Sequence, residues 1–160
     1  MNLEQQCVSL ELAMRLKELG VKQKSLFYWV KVESENVYMY GIKYIVDMFD
    51  EKDEFKEIYS AFTASELMEM LPACIDTKKD HPLNDFWLQI YKRTCKDIRY
   101  IARYVCSSIP GEEIDNPFFQ VISPAKAHDE SLCDCLAKML IHLIENKYIE
   151  IEKENTNGLV

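Results

Sequence analysis

Residues 86–106 read Phe86-Trp87-Leu88-Gln89-Ile90-Tyr91-Lys92-Arg93-Thr94-Cys95-Lys96-Asp97-Ile98-Arg99-Tyr100-Ile101-Ala102-Arg103-Tyr104-Val105-Cys106, and two folds compete for them. Leu88, Tyr91, Cys95, Ile98, Ala102 and Val105 step by three and four, as one face of an amphipathic helix would. Lys92, Lys96, Arg99 and Arg103 step the same way on the opposite face. Alternatively, Trp87–Lys92 and Ile98–Cys106 are two strands joined by the polar turn 93–97, which their tyrosine, isoleucine and valine content favours. Spacing supports the helix and composition the hairpin, so the rest of the chain has to be weighed.

On the N-terminal side, a helix over 9–19 is expected. Ser9 can cap it, Leu12, Ala13, Leu16 and Leu19 recur on one face, and Gly20 offers the left-handed conformation that ends it. Ser25–Val32 is dense in aromatic and β-branched residues and reads as a strand. Asn36–Tyr40 returns beside it after the turn Glu33-Ser34-Glu35. Phe27, Tyr28 and Trp29 would alternate between core and a second face, either an interaction patch or a surface under another layer. The acidic stretch 41–59 reads as an exposed connection. Thr63-Ala64-Ser65-Glu66 has the form of a capping box, and Ala64, Leu67, Met68 and Leu71 follow at helical spacing until Pro72, giving a helix over 64–71.

On the C-terminal side, Phe118–Ile122 reads as a short strand. The helix expected over 129–145 turns Leu132, Leu136, Met139, Leu140, Leu143 and Ile144 inward. An i,i+4 pair between Asp134 and Lys138 would brace it, and Asn146 would supply a left-handed end. The organisation expected is one domain over 1–151 and a disordered tail over 152–160.

Composition narrows the chemistry. The chain has 160 residues, and its 48% hydrophobic content is too high for a disordered protein. With 27 acids against 19 lysines and arginines, the net charge of −8 repels nucleic acid and anionic membranes over most of the surface. No apolar run approaches the ~20 residues of a membrane span. Met1-Asn2-Leu3-Glu4-Gln5-Gln6 has neither the charged nor the apolar region of a signal peptide, so the expected compartment is the cytoplasm. There the 6 cysteines are reduced, small buried hydrophobes.

Gly20, Gly41, Gly111 and Gly158 are too isolated to write a phosphate-binding loop, and no cofactor is expected. His128-Asp129-Glu130 superficially fits the H-x-E of zinc deaminases. However, Cys133 and Cys135 are spaced C-x-C on a helix and point about 200° apart, so they do not close on one ion. One thiol is expected in the core and the other at the helix flank. His142 belongs at the edge of the apolar face. Nothing pairs His81, His128 or His142 with a particular cysteine, so no catalytic or metal residue is assigned.

The basic cluster Lys92, Arg93, Lys96, Arg99 and Arg103, interleaved with Tyr91, Tyr100 and Tyr104, could neutralise and stack a single strand, or could simply be a solvated face. Lys92, Lys96, Arg99 and Arg103 are the candidate binding surface. Given the overall charge, the partner expected there is a protein, with self-association possible and nucleic acid disfavoured.

Three segments together resemble a family of small uncharacterised phage and prophage proteins of gut bacteria. They are Leu16–Gln23 with Phe27-Tyr28-Trp29, Tyr59–Leu67 with Met70-Leu71-Pro72, and Leu136–Asn146. The resemblance implies an α+β domain whose strands precede the closing helix, and this selects the hairpin for residues 86–106. It carries no activity. This chain departs from the family in its longer acidic stretch and its 107–117 loop. The expected fold is therefore a single antiparallel sheet of about four or five strands with three helices, the last packed on the sheet. The expected role is that of a non-enzymatic phage-derived accessory protein that binds another macromolecule. A cryptic His/Cys enzyme and an acidic decoy that mimics nucleic acid are the alternatives.

Overall fold

The computed structural model describes residues 3–34, 37–44, 57–76, 85–94, 99–105 and 126–151. A short 3-10 helix, Leu3–Gln5, precedes helix α1, Leu10–Glu18. Strands β1, Phe27–Ser34, β2, Val37–Tyr44, and β3, Ile58–Ser60, follow, then helix α2, Ala64–Met70. Strands β4, Cys74–Asp76, β5, Asp85–Arg93, β6, Arg99–Val105, and β7, Lys126–Asp129, precede the closing helix α3, Leu132–Glu145.

The protein is α+β, and Asp85–Arg93 and Arg99–Val105 are antiparallel paired strands rather than one helix. The single sheet expected from the sequence is corrected to two antiparallel sheets among the described residues, ordered β2-β1-β3 and β4-β5-β6-β7. Alternation identifies strands without choosing their partners, and the segment 61–70, mostly α2, separates the two sets. Helix α3 packs on β6 and β7 and also touches α1 and α2, while α1 reaches β3. The helices thus link the sheets through one core that includes Val8, Leu16, Trp29, Phe62, Leu67, Phe86, Tyr104, Leu136 and Leu143. No helix among the described residues is long and apolar enough to cross a membrane.

Two helix ends follow the sequence, the end of α1 and the start of α2, whereas Ser9, expected to cap α1, makes no side-chain cap hydrogen bond. Gly20 adopts φ +88, and α1 closes with Val21 N donating to Leu16 O and Gly20 N to Lys17 O, so the last carbonyls are satisfied. In α2, Thr63 Oγ1 accepts from Glu66 N at 3.4 Å while Thr63 N donates to Glu66 Oε2 at 2.7 Å. The same carboxylate accepts from Ser25 Oγ and Leu26 N, so one capping residue also fixes the start of β1. Trp29 is buried with Nε1 donating to Val8 O at 2.9 Å, and Val30 on the opposite face of β1 is buried too.

Two details of α3 differ from the sequence reading. Lys138 pairs with Asp129 rather than Asp134, because β7 brings Asp129 beside the first turn. Asp134 instead accepts from Ser9 N at 2.7 Å and so ties the start of α1 to the start of α3. Burial pushes its carboxyl up, against the Ser9 donors that favour the charged form. The left-handed residue at the helix end is Lys147, φ 59, one position past Asn146. The Phe118–Ile122 strand, the 107–117 loop, most of the acidic stretch and the 152–160 tail lie outside the described residues.

Candidate binding surface

The β5–β6 register pairs Trp87 with Val105, Gln89 with Arg103, Tyr91 with Ile101, Lys92 with Tyr100 and Arg93 with Arg99. Odd-numbered residues of both strands therefore share one face and even-numbered residues the other. The even face carries Phe86, Ala102 and Tyr104, all buried against the core. The odd, outer face is mixed: Trp87 is 54% and Tyr91 38% exposed, while the residues opposite them, Val105 and Ile101, are buried.

This parity divides the residues singled out from the sequence. Lys92 stands on the inner face at the hairpin end, its Nζ 5.3 Å from the centre of the Tyr100 ring. Arg99 and Arg103 stand on the outer face, and Lys96 lies outside the described residues. Helical spacing had grouped Lys92 with Arg99 and Arg103; strand spacing puts Lys92 on the opposite face from the two arginines. Trp87, Gln89, Tyr91 and Arg93 join Arg99 and Arg103 outside, together with Lys126 and His128 of β7, which pair with Arg103 and Ile101. Alternation along 86–93 was the sequence signal for Trp87, Gln89 and Tyr91, obscured by the competing period.

The centre of this face is ordered. The Arg103 guanidinium carbon lies 5.1 Å from the Tyr91 ring centre, and Nη2 donates to Gln89 Oε1 at 3.2 Å. Its Nε has no hydrogen-bond partner. In the register Arg93 stands opposite Arg99, and Arg103 opposite Lys126. Like charges directly opposite each other destabilise a sheet.

A depression of about 280 Å³ opens beside this face, lined by Arg99, His128, Asp129, Glu130 and Lys138. Burial would raise the Asp129 carboxyl, but Lys138 and the Ser131 N–H outweigh it and hold the group below its ordinary value.

The thiols are placed very differently. Cys133 and Cys135 are both buried, which corrects the expected flank position of one of them. They do point apart, Cys133 Sγ donating to Gln6 O at 3.1 Å and Cys135 Sγ to Tyr100 O at 3.4 Å, but α3 is covered on both sides. Burial, with smaller contributions from neighbouring groups, raises the Cys7 thiol to about 12 and Cys133 to about 11, and Cys135 moves the same way. Such thiols are protonated and poor nucleophiles. N-ethylmaleimide at neutral pH should leave all three unmodified in the native protein and label them after denaturation. Rapid native labelling, read by peptide mass spectrometry, would contradict this packing.

Among the described residues, no group of three or more His, Cys, Asp or Glu side chains is placed to hold a metal ion. His142 stacks on Tyr148, ring centres 6.3 Å apart, and His81 lies outside the described residues. No protein-family model, curated protein or solved structure matches the chain.

Proposed function

We propose that the protein is a non-catalytic, phage-derived accessory protein of the cytoplasm that binds another macromolecule on the outer face of the β4–β7 sheet. The observation that carries this reading is the exposure of Trp87 and Tyr91 at mid-strand, on a sheet whose inner face is packed. Exposed aromatic side chains beside arginine are the composition of binding hot spots. The resemblance of the three quoted segments supports the phage origin, and the unpaired, buried thiols of Cys7, Cys133 and Cys135 fit the compartment.

The test is affinity capture from host cells with the wild-type chain and with the double variant Trp87→Ala/Tyr91→Ala. Each captured macromolecule is then identified and re-bound in purified form. Loss of two hot-spot aromatics should weaken the purified complex tenfold or more while the circular dichroism spectrum is unchanged. Equal affinity of both proteins for every identified partner would move the site away from this face.

A further inference from the structure

We infer that strand β2 pairs edge to edge with the β2 strand of a second copy of this chain, joining two three-stranded sheets into one of six strands ordered β3-β1-β2-β2-β1-β3.

The first argument compares the edges. Among the described residues the two sheets end in four edge strands, β2, β3, β4 and β7. An edge presents unpaired backbone N–H and C=O groups, and soluble proteins blunt it with short strands, charge, proline or a bulge. Three of the four follow that rule. β3 and β4 have three residues each, and β7 has four, with Lys126 and Asp129 among them. β2 does not. It runs for eight residues, Val37–Tyr44, without proline, and it pairs with β1 one for one along its whole length, with no bulge. Lys43 is its only charged residue, and none of the chain's 27 acids lies in it. A long edge without any of these devices is one made for a partner strand.

The bonds of β1 identify which groups of β2 face outward. Lys31 N donates to Glu57 O and Ala61 N to Phe27 O, so the odd residues of β1 bond toward β3. Successive residues of an antiparallel strand bond to opposite sides, so Tyr28, Val30, Val32 and Ser34 bond toward β2. Their partners there are Lys43, Gly41, Met39 and Val37. The backbone N–H and C=O groups of Tyr38, Tyr40, Ile42 and Tyr44 therefore point away from β1, where no described strand meets them.

Only an extended backbone supplies the matching alternation of acceptors and donors, and β2 supplies it for itself. With a two-fold axis at Gly41, Tyr40 exchanges both hydrogen bonds with the partner's Ile42, and Tyr38 does so with the partner's Tyr44. All four outward residues are then used. Gly41 meets the partner's Gly41, and Lys43 falls opposite the partner's Met39, so the register opposes no like charges.

Sedimentation equilibrium of the full chain, from micromolar to submillimolar concentration, should show monomer passing to dimer and nothing larger, because two-fold pairing uses up the edge. Amide hydrogen exchange reads the ladder itself. The N–H groups of Tyr38, Tyr40, Ile42 and Tyr44 should exchange freely in dilute solution and become protected as the dimer forms. Those of Met39, Gly41 and Lys43, bonded to β1, should stay protected throughout. Tyr40→Pro removes an outward donor from each copy and no bond to β1. It should weaken the dimer by about 10- to 100-fold and leave the circular dichroism spectrum of the monomer unchanged. A Cβ at Gly41 meets nothing within 4 Å, so Gly41→Cys should fold and, with oxidised glutathione, give a disulfide-linked dimer. Val37→Cys, far from its own counterpart in this register, should not.

A chain that stays monomeric at every concentration, with the four outward amides unprotected, would overturn the inference. Protection that persists on dilution would mean that the edge is covered within one chain, and protection conferred only by a captured host protein would give it to a different chain; either result refutes the pairing. A dimer that keeps its affinity in Tyr40→Pro and forms no Gly41→Cys cross-link lies on another surface, and the inference fails there too.

Discussion

Phe62→Ala is expected to lower the free energy of unfolding by about 3–5 kcal/mol, read from urea denaturation followed by circular dichroism. Phe62 is fully buried in the short link between β3 and α2. Its carbonyl accepts from Val8 N at 2.8 Å, and Val8 O in turn accepts from the Trp29 indole at 2.9 Å. On the other side, Ala61 N donates to Phe27 O at 2.8 Å. The ring therefore fills the junction where the N-terminal segment, the first sheet and α2 converge, and the hydrogen-bonded backbone around it resists collapse into the space left behind. A domain of this size is stable by about 5–15 kcal/mol, so the loss is a large fraction of the total. Phe62→Leu, which retains most of the volume, should cost less than about 1.5 kcal/mol. A loss below about 1 kcal/mol for the alanine variant would show that Phe62 is not at such a junction.

Local signals carried the helices. The left-handed Gly20, the Thr63–Glu66 box and the apolar spacing of 132–144 each act within a few residues, and each appears at its expected place. What depended on distant pairing was harder to read. β3, β4 and β7 are three or four residues long, too short for any periodicity, and exist because a neighbouring strand accepts them. The division into two sheets has the same cause. Asp134 was assigned to Lys138 from helix spacing, whereas its partner is 125 residues away in sequence.

Which residues share the candidate surface turns on one choice of period. Between 86 and 106, steps of three and four gather Lys92, Lys96, Arg99 and Arg103, while steps of two gather Trp87, Gln89, Tyr91 and Arg93. Once the hairpin is selected, the second set follows from the sequence with no coordinates at all. Missing from any sequence reading were the Arg93–Arg99 and Arg103–Lys126 oppositions, since register is fixed by tertiary pairing.

Tyr104→Ala should also cost about 3–5 kcal/mol, the range for truncating a buried aromatic ring. Tyr104 is fully buried on the inner face of β6, and its hydroxyl donates to Pro72 O at 2.5 Å, fastening the second sheet to the end of α2. Tyr104→Phe keeps the ring and removes the donor, which should cost about 1–3 kcal/mol because the proline carbonyl is left unpaired. The two variants separate ring from hydroxyl, and pH then tests the hydroxyl alone. Burial, with the neighbouring Cys74 thiol adding to it, pushes the Tyr104 phenol above its ordinary value. The unfolded phenol ionises near 10, so the residue's contribution is complete below that pH, declines above it, and is lost as pH rises through the native value. Cys7 and Cys133, raised to about 12 and about 11, lose stability in the same direction from lower pH, so wild-type alkaline unfolding alone does not isolate the tyrosine. The difference between wild type and Tyr104→Phe does, because the thiols are common to both. From pH 8 to 11 that difference should shrink by about 1.4 kcal/mol, the value of one unit above the unfolded pKa. A difference that stays constant across this range would mean that the native phenol ionises as freely as the unfolded one, and the buried contact with Pro72 would not survive that result.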